Sequence, residues 1–175
     1  MRELVYSVAT SLDGFIAGPN GEYDWIIPDP TIDFGEIFGQ FDTAVMGRRT
    51  YQAMLREGRS PKELGMKTFV ASRTLDPAQH SGVTIVAADL EQTVSELKLK
   101  SGKDIWLFGG GTTFRSLLDL GLVDRVEVSV IPVLLGDGVP LLPPGRRCTL
   151  QFRDSRTFPS GIVSLTYGVA IRPQI

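Results

Sequence analysis

Strand-like and helix-like segments alternate along the first two thirds of this chain. Most of the short apolar runs are followed by a segment whose apolar residues recur at helical spacing, and beyond that part only strand-like runs remain. Such alternation predicts parallel strands joined by helical crossovers, whereas the terminal run of strands has to include antiparallel pairs. The sequence therefore predicts a single three-layer α/β domain, with a mostly parallel mixed sheet of about eight strands and helices on both faces.

Apolar runs, helical periodicity and capping residues predict the individual elements. Strands are predicted at 4–9, 43–46, 67–71, 83–87, 104–108, 124–131, 150–155 and 162–171. Helices are predicted at 30–39, 48–56, 90–101 and 112–120. Asp29, which precedes Pro30, is interpreted as the N-cap of the first helix. Asp89, three residues before Gln92, is interpreted as the N-cap of the third helix, with the spacing of a capping box.

The composition is that of an ordinary globular domain, and it restricts the kinds of partner. The 175 residues suit one domain, predicted to span 1–175, and 18 basic against 20 acidic residues give a net charge of −2. This balance does not favour nucleic acid or an anionic membrane as a partner. No stretch approaches the about 18 consecutive apolar residues of a membrane span, and no signal-peptide pattern is present, so a cytoplasmic location is predicted. No metal site is predicted, because Cys148 and His80 are the only residues of their types.

One segment combines a strand, a run of glycines and the start of a helix. The apolar residues 105–108 precede Gly109, Gly110 and Gly111, and a helix-like segment follows from Thr112. Glycines let backbone N–H groups approach another molecule closely, and a helix start offers unpaired N–H groups and a partial positive charge. The segment is therefore either a phosphate site or a tight turn, and by itself it favours neither interpretation.

Two other predicted strands also end in residues suited to phosphate binding. Gly47, Arg48 and Arg49 follow the second predicted strand, and Ser72 and Arg73 follow the third. Parallel strands bring these ends and the glycine run to the same edge of the sheet, where ligands bind in such folds. Arginines at a helix start are unfavourable unless an anion is present. The convergence therefore favours a site for a dinucleotide that carries several phosphates.

Four motifs together resemble the dihydrofolate reductase-like superfamily. They are SLDGFIA at 11–17, MGRRTY at 46–51, FGGG at 108–111 and PVLLGDGVPL at 132–141. MGRRTY is similar to a segment shared with dihydrofolate reductases. PVLLGDGVPL is similar to a run in bacterial proteins related to the reductase domain of riboflavin biosynthesis. The resemblance implies a dihydrofolate reductase-like fold and an NADPH-dependent reductase.

The resemblance also implies which residues hold NADPH. Residues 48–50 would receive the phosphates at a helix start, and 110–112 would face the pyrophosphate. Arg73 would lie near the adenosine 2′-phosphate, which a guanidinium binds through two hydrogen bonds. The backbone of Ala9 and Ile16 would contact the nicotinamide carboxamide. The complete set implied for the cofactor is Ala9, Ile16, Gly47, Arg48, Arg49, Thr50, Ser72, Arg73, Gly109, Gly110, Gly111 and Thr112.

The substrate side departs from the pattern of these relatives. They carry one acidic residue near the second helix that protonates the substrate, whereas an ungapped count from MGRRTY places Thr31 there. Asp33, facing either the cleft or solvent, is predicted as the proton donor, with Asp29 or a water as the alternatives. Trp25 and Ser129 are predicted to contact the substrate. The competing interpretations are a core position for Trp25 and a solvent-facing one for Ser129.

The leading hypothesis is an NADPH-dependent reductase of a small heterocyclic, pterin- or pyrimidine-like substrate. The riboflavin branch usually carries a lysine where this chain has Ser7, so another heterocycle or a carbonyl compound stays open as the substrate. One alternative is a non-catalytic NADP-binding or sensor domain of the same fold. Another is a protein whose main surface is a dimer interface formed by 133–135 and 139–142. Relatives are often homodimers, so a homodimer is predicted.

Overall fold

The computed structural model describes residues 1–170, and its elements follow the predicted alternation. The strands are β1 (Leu4–Ser11), β2 (Phe15–Ala17), β3 (Phe41–Gly47), β4 (Lys67–Ala71), β5 (Thr84–Val86), β6 (Asp104–Gly109), β7 (Arg125–Ile131), β8 (Val139–Pro140), β9 (Leu150–Thr157) and β10 (Val163–Val169). The α-helices are α1 (Phe34–Gly39), α2 (Arg48–Arg56), α3 (Leu90–Leu99) and α4 (Gly111–Asp119). Short 3-10 helices cover Pro61–Leu64 and Pro77–Gln79.

Within residues 1–170, eight strands form one sheet in the order β5-β4-β3-β6-β1-β7-β10-β9. Neighbours from β5 to β7 pair in parallel, whereas β10 pairs antiparallel with both β7 and β9. This arrangement confirms the prediction of a mostly parallel sheet that ends in antiparallel strands. None of the helices in this part of the chain has the length and apolar character needed to cross a bilayer.

Helices cover both faces of the sheet. Successive residues of a strand point to opposite faces, and β1 shows this in its packing. Leu4 and Tyr6 belong to the apolar cluster that includes α3 and α4, and the Tyr6 ring stacks on Phe114 of α4 with a centroid distance of 3.9 Å. Val5 packs in a cluster on the other face, where Met54 of α2 packs against β3 and β4. The predicted three layers are therefore present.

A small second sheet joins two of the motifs. β2 and β8 pair antiparallel, so that Phe15 lies opposite Pro140. Asp13 strengthens this junction, since its carboxylate accepts hydrogen bonds from Ser11 Oγ at 2.6 Å, Gly136 N at 2.7 Å and Leu135 N at 3.1 Å. Hydrogen bonds from Ser11 and from these backbone groups hold the pKa of Asp13 below its usual range. The segments at 11–17 and 132–141 thus form one structural unit.

The first helix begins later than predicted, and Asp29 is not its N-cap. α1 starts at Phe34, and the carboxylate of Asp33 accepts a hydrogen bond from Glu36 N at 3.0 Å. Asp29 is buried and bonds elsewhere: its carboxylate accepts from Thr31 N at 2.8 Å, Thr31 Oγ1 at 2.6 Å and Ser160 N at 3.0 Å. Hydrogen bonds from Ser160 and Thr31 hold the pKa of Asp29 well below its usual range. Asp29 therefore fastens the segment before α1 to the β9–β10 hairpin.

The predicted capping box of the third helix does not form. Asp89 occupies the N-cap position of α3, but its backbone is left-handed, with φ of 54°, and its side chain accepts no hydrogen bond from the helix. Gln92 instead donates to Glu96 Oε1 at 2.9 Å. The strand predicted at 162–171 appears as β10, which ends at Val169, and Ile171 lies outside the described residues.

Candidate active site

The carboxyl ends of β3, β4 and β6 lie side by side at one edge of the sheet. In the parallel register, Met46 pairs with Gly109 and Gly47 pairs with Ala71. Ser72 and Arg73 follow Ala71 directly, so the three strand ends singled out in the sequence converge as predicted. Parallel pairing is the cause, because it gives neighbouring strands the same direction and brings distant segments of the chain to one edge.

A cavity of about 1940 Å³ opens at this edge. Its volume is roughly twice the ~1,000 Å³ upper end of ordinary small-molecule pockets, so it has room for a dinucleotide and a second small molecule. Every residue predicted to contact the cofactor lines it, as does Ser129. These lining residues are Ala9, Ile16, Gly47, Arg48, Arg49, Thr50, Ser72, Arg73, Gly109, Gly110, Gly111, Thr112 and Ser129.

Two helix N-termini meet at the cavity without a capping side chain. α2 begins after Gly47 and α4 begins after Gly110, and neither glycine provides a side chain to accept a hydrogen bond from the first turn. The first N–H groups of a helix have no partner within the helix, and they carry the positive end of its dipole. Arg48 and Arg49 add two cations at the start of α2. This end of the cavity is therefore suited to an anion.

The glycine run brings three segments of the chain into close contact. The Gly109–Gly110 peptide bond is cis. A Cβ on Gly110 would lie 3.3 Å from Thr50 Oγ1 of α2. A Cβ on Gly111 would lie 2.8 Å from the carbonyl oxygen of Pro140 and 3.1 Å from that of Leu141. The third glycine therefore lets the start of α4 pack against the backbone around β8, a structural role besides the predicted contact with a ligand.

A wall of four aromatic rings, which is not predicted as a whole from the sequence, lies along the cavity. Its rings are those of Phe34 and Phe38 on α1 and of Trp106 and Phe108 on β6. Neighbouring ring centroids are 5.9 Å apart for Phe34–Phe38, 5.0 Å for Phe38–Trp106 and 4.4 Å for Trp106–Phe108. The signal was present in β6, where Trp106 and Phe108 alternate with the buried Ile105 and Leu107 and so share the opposite face.

Trp25 does not line the cavity, so the structure does not support its predicted contact with a substrate. Its indole N–H donates to the carbonyl of Glu22 at 3.0 Å, which turns the ring back onto its own loop. The same segment presents Tyr23, Ile26 and Ile27 to the cavity instead. An aromatic residue in a loop has no periodic pattern that indicates its direction, so the sequence alone does not place the Trp25 ring.

Asp33 lies at the rim of the cavity. Its carboxylate is exposed and caps α1, and it is not among the groups that line the cavity, although the adjacent Ile32 and Phe34 are. The acids in the lining are Glu57, Glu63 and Asp89. The role of Asp33 as a proton donor stays a prediction.

A hydrogen bond links the loop after β2 to the end of α2. Tyr23 Oη donates to Glu57 Oε2 at 2.5 Å, and Arg59 lies 3.9 Å from the same carboxylate oxygen. The hydrogen bond to Glu57 raises the pKa of Tyr23. Because Tyr23, Glu57 and Arg59 all line the cavity, this contact holds the loop against α2 along its opening.

Comparisons with known proteins agree with this architecture. The family model described as the RibD C-terminal domain matches residues 2–164. The uncharacterized protein YyaP of Bacillus subtilis (strain 168) is 38% identical, over 95% of this chain and 94% of its own length. A crystal structure from Shewanella sp. PV-4, provisionally assigned to riboflavin biosynthesis, is 28% identical with a TM-score of 0.83, over 98% of this chain and 100% of that one.

A dihydrofolate reductase shares the fold at lower sequence identity. The enzyme from Enterococcus faecalis, described in complex with NADP(H) and RAB-propyl, is 20% identical with a TM-score of 0.67, over 97% of each chain. This likeness shows that the fold is dihydrofolate reductase-like. The family match covers nearly the whole chain, and YyaP exceeds 30% identity over nearly all of both sequences. The chain therefore belongs to the RibD C-terminal domain family.

Proposed function

We propose that this protein is an NADPH-dependent reductase that transfers hydride to a small heterocyclic, pterin- or pyrimidine-like substrate. One observation carries the proposal: every residue predicted to contact the cofactor lines a single cavity, at the edge where two helix N-termini meet. The dihydrofolate reductase of the same fold is described with NADP(H), which supports this cofactor. Assembly as a homodimer and a cytoplasmic location remain part of the proposal.

The residues at the basic end of the cavity fit a dinucleotide phosphate. The backbone N–H groups at the starts of α2 and α4, with the guanidinium groups of Arg48 and Arg49, would hold the pyrophosphate. Arg73 would hold the adenosine 2′-phosphate, and its presence is the reason for preferring NADPH to NADH. When bound, NADPH supplies a hydride to the substrate and is left as NADP⁺. Orientation of the two reactants is the contribution of the protein.

The reacting centre would lie over β1 and β7. Ala9 and Ser129 are paired in the parallel register of these strands, and both line the cavity. The backbone of Ala9 would hold the nicotinamide, and the Ser129 hydroxyl would orient a substrate carbonyl or ring nitrogen. A proton must reach the substrate atom next to the carbon that accepts the hydride. Asp33, at the rim, would deliver it through water.

Cofactor titration tests the proposal at its first step. Trp106 lines the cavity, and a Trp25→Phe variant leaves it as the only tryptophan of the chain. We expect NADPH to quench the fluorescence of this variant in a saturable way and to bind more tightly than NADH. NADPH oxidation would then be followed by absorbance over a panel of pterins and pyrimidines. Absence of binding by either cofactor would show that the proposed function is wrong.

The role of Asp33 can be separated from its role as a cap. Asparagine caps a helix about as well as aspartate but is not an acid, so Asp33→Asn should retain the melting temperature of the wild type. If Asp33 supplies the proton, kcat with an active substrate should fall by roughly 10²- to 10⁴-fold. Asp24→Asn, an exposed change on the same segment, is the matched control. An unchanged kcat in Asp33→Asn would leave Asp29 or a water as the source of the proton.

A non-catalytic NADP-binding or sensor domain is the alternative function. Within residues 1–170, the acids that line the cavity lie on or near α2 and α3, and none lies on the strands that carry Ala9 and Ser129. This placement favours the alternative, because hydride transfer to a ring C=N bond also needs a proton. Tight NADPH binding, without oxidation by any compound in the panel, would support the sensor function over the reductase.

A further inference from the structure

The two sides of the cavity differ sharply in charge. Among the described residues, the charged groups in the lining belong to α2, to residues 57–63 after it, to Arg73 after β4 and to Asp89 before α3. The lining contributed by β1, by the β2–α1 segment, by β6 and β7 and by Ile162 before β10 carries no charged side chain. The backbone N–H of Ala170, the last described residue, donates a hydrogen bond to the carbonyl of Thr149, just before β9. The N–H of Val169 donates to the carbonyl of Asp124, just before β7. The described chain therefore ends at the opposite edge of the sheet from the cavity.

Two of the acids in the lining already have partners. Glu57 accepts the hydrogen bond from Tyr23 and lies 3.9 Å from Arg59. Glu63 Oε1 accepts from Ser60 N at 3.1 Å, within the capping box of the 3-10 helix Pro61–Leu64. Both carboxylates therefore accept hydrogen bonds within the protein. Glu57 and Arg59, which are paired with each other, together present no net charge to a ligand.

The uncharged side presents exposed aromatic rings to the cavity. Phe34 is 56% exposed and Phe38 is 37% exposed, although a core would bury such large apolar side chains. With Trp106 and Phe108 they form a continuous series of ring contacts along the cavity. The Trp106 N–H is already used, since it donates to the carbonyl of Ser7 at 3.0 Å. The wall therefore offers aromatic faces, which favour stacking against another planar π-system.

Only neutral polar groups accompany this wall on the sheet. Ser7 on β1 and Ser129 on β7 bring hydroxyl groups to the lining. A hydroxyl can orient a carbonyl or a ring nitrogen, but it cannot neutralise a phosphate or a carboxylate. An anion removed from water without a counter-charge is strongly disfavoured.

We propose, on the basis of the proposed function, that the substrate is a neutral, planar and mostly apolar molecule with no anionic group on its ring. An uncharged heteroaromatic ring or a conjugated carbonyl compound fits this description. The ring would stack on the exposed rings of Phe34 and Phe38, with its carbonyl or ring nitrogen near Ser129. Discrimination against anionic compounds then follows from the uncharged lining.

A matched pair of ligands tests this inference. Quinoxaline is a neutral bicyclic heteroaromatic compound, and quinoxaline-2-carboxylate adds one negative charge to the same ring. Calorimetric titration of the wild-type protein saturated with NADP⁺ should show at least tenfold tighter binding of quinoxaline. Phe38→Ala should weaken quinoxaline binding about tenfold and leave NADP⁺ binding unchanged. Phe152→Ala, which removes an exposed phenylalanine on β9 away from the cavity, should change neither.

The possible failures are distinguishable. If NADP⁺ itself does not bind, the proposed function is wrong. If NADP⁺ binds but quinoxaline-2-carboxylate binds as tightly as quinoxaline or more tightly, the inference about charge is wrong while the cofactor site stands. Failure of quinoxaline to bind, or unchanged quinoxaline binding in Phe38→Ala, also overturns the inference. Circular dichroism of each variant confirms that it is folded.

Discussion

Replacement of Gly111 by alanine is expected to destabilise the protein and to weaken NADPH binding together. The new Cβ would lie 2.8 Å and 3.1 Å from the backbone oxygens of Pro140 and Leu141, which cannot rotate away as a side chain can. Overpacking of this kind costs about 1–3 kcal/mol, and it would shift the start of α4, where the pyrophosphate is proposed to bind. Urea unfolding and NADPH titration of the same preparation measure both effects.

Gly39 provides the matched control for this substitution. A Cβ at Gly39, the last residue of α1, would meet no atom within 4 Å, and the backbone there does not have a positive φ. Gly39→Ala should therefore leave NADPH affinity unchanged and keep or slightly raise the free energy of unfolding. If Gly111→Ala keeps the wild-type stability and NADPH affinity, residues 140–143 can shift to accept the new Cβ. The close contact would then have no effect on function.

Arg73→Ala is expected to remove the preference for NADPH over NADH. Hydrogen bonds to a charged group contribute about 1.5–3 kcal/mol, so the variant should bind NADPH roughly 10- to 100-fold more weakly. NADH lacks the 2′-phosphate, and its affinity should not change. Both dissociation constants can be measured by quenching of Trp106 fluorescence in the Trp25→Phe background.

Arg156 on the exposed strand β9 gives the control for loss of one positive charge. Arg156→Ala should leave both dissociation constants at their wild-type values, since its guanidinium lies over the Phe158 ring and outside the cavity lining. If Arg73→Ala loses NADPH and NADH affinity equally, the 2′-phosphate assignment is wrong. Arg73 would then contact a group that is present in both cofactors.

The basic end of the site could be predicted from the sequence because its signals are local. Gly47, Ser72 and the glycine run each follow directly on a short apolar strand, and parallel pairing then places all strand ends at one edge. No long-range information is needed beyond the alternation of strands and helices. The predicted bounds of β4 and α2 also agree with the structure, since each is a short run with clear flanking residues.

The substrate side was harder to predict because it depends on tertiary contacts. Asp29 resembles an N-cap, since a proline follows it. Its carboxylate instead accepts hydrogen bonds from Thr31 and from Ser160. That second partner lies 131 residues away, and no local pattern indicates it. The sequence pattern therefore predicts an earlier helix start, and the actual cap, Asp33, lies within the predicted helix. Strand alternation in β6 places Trp106 on the face towards the cavity, whereas no periodic pattern indicates the direction of Trp25 in its loop.

The position of β1 has a consequence for how the chain folds during synthesis. β1 lies in the middle of the sheet, yet its neighbours are β6, with Leu4 beside Ile105, and β7, with Val5 beside Arg125. A ribosome-bound chain therefore carries its first strand unpaired until most of the sequence has emerged. The hydrogen bond from Ser160 N to Asp29 forms later still, because Ser160 lies in the β9–β10 hairpin. We expect pairings so distant in sequence to slow folding, with the segment that borders the cavity fixed late.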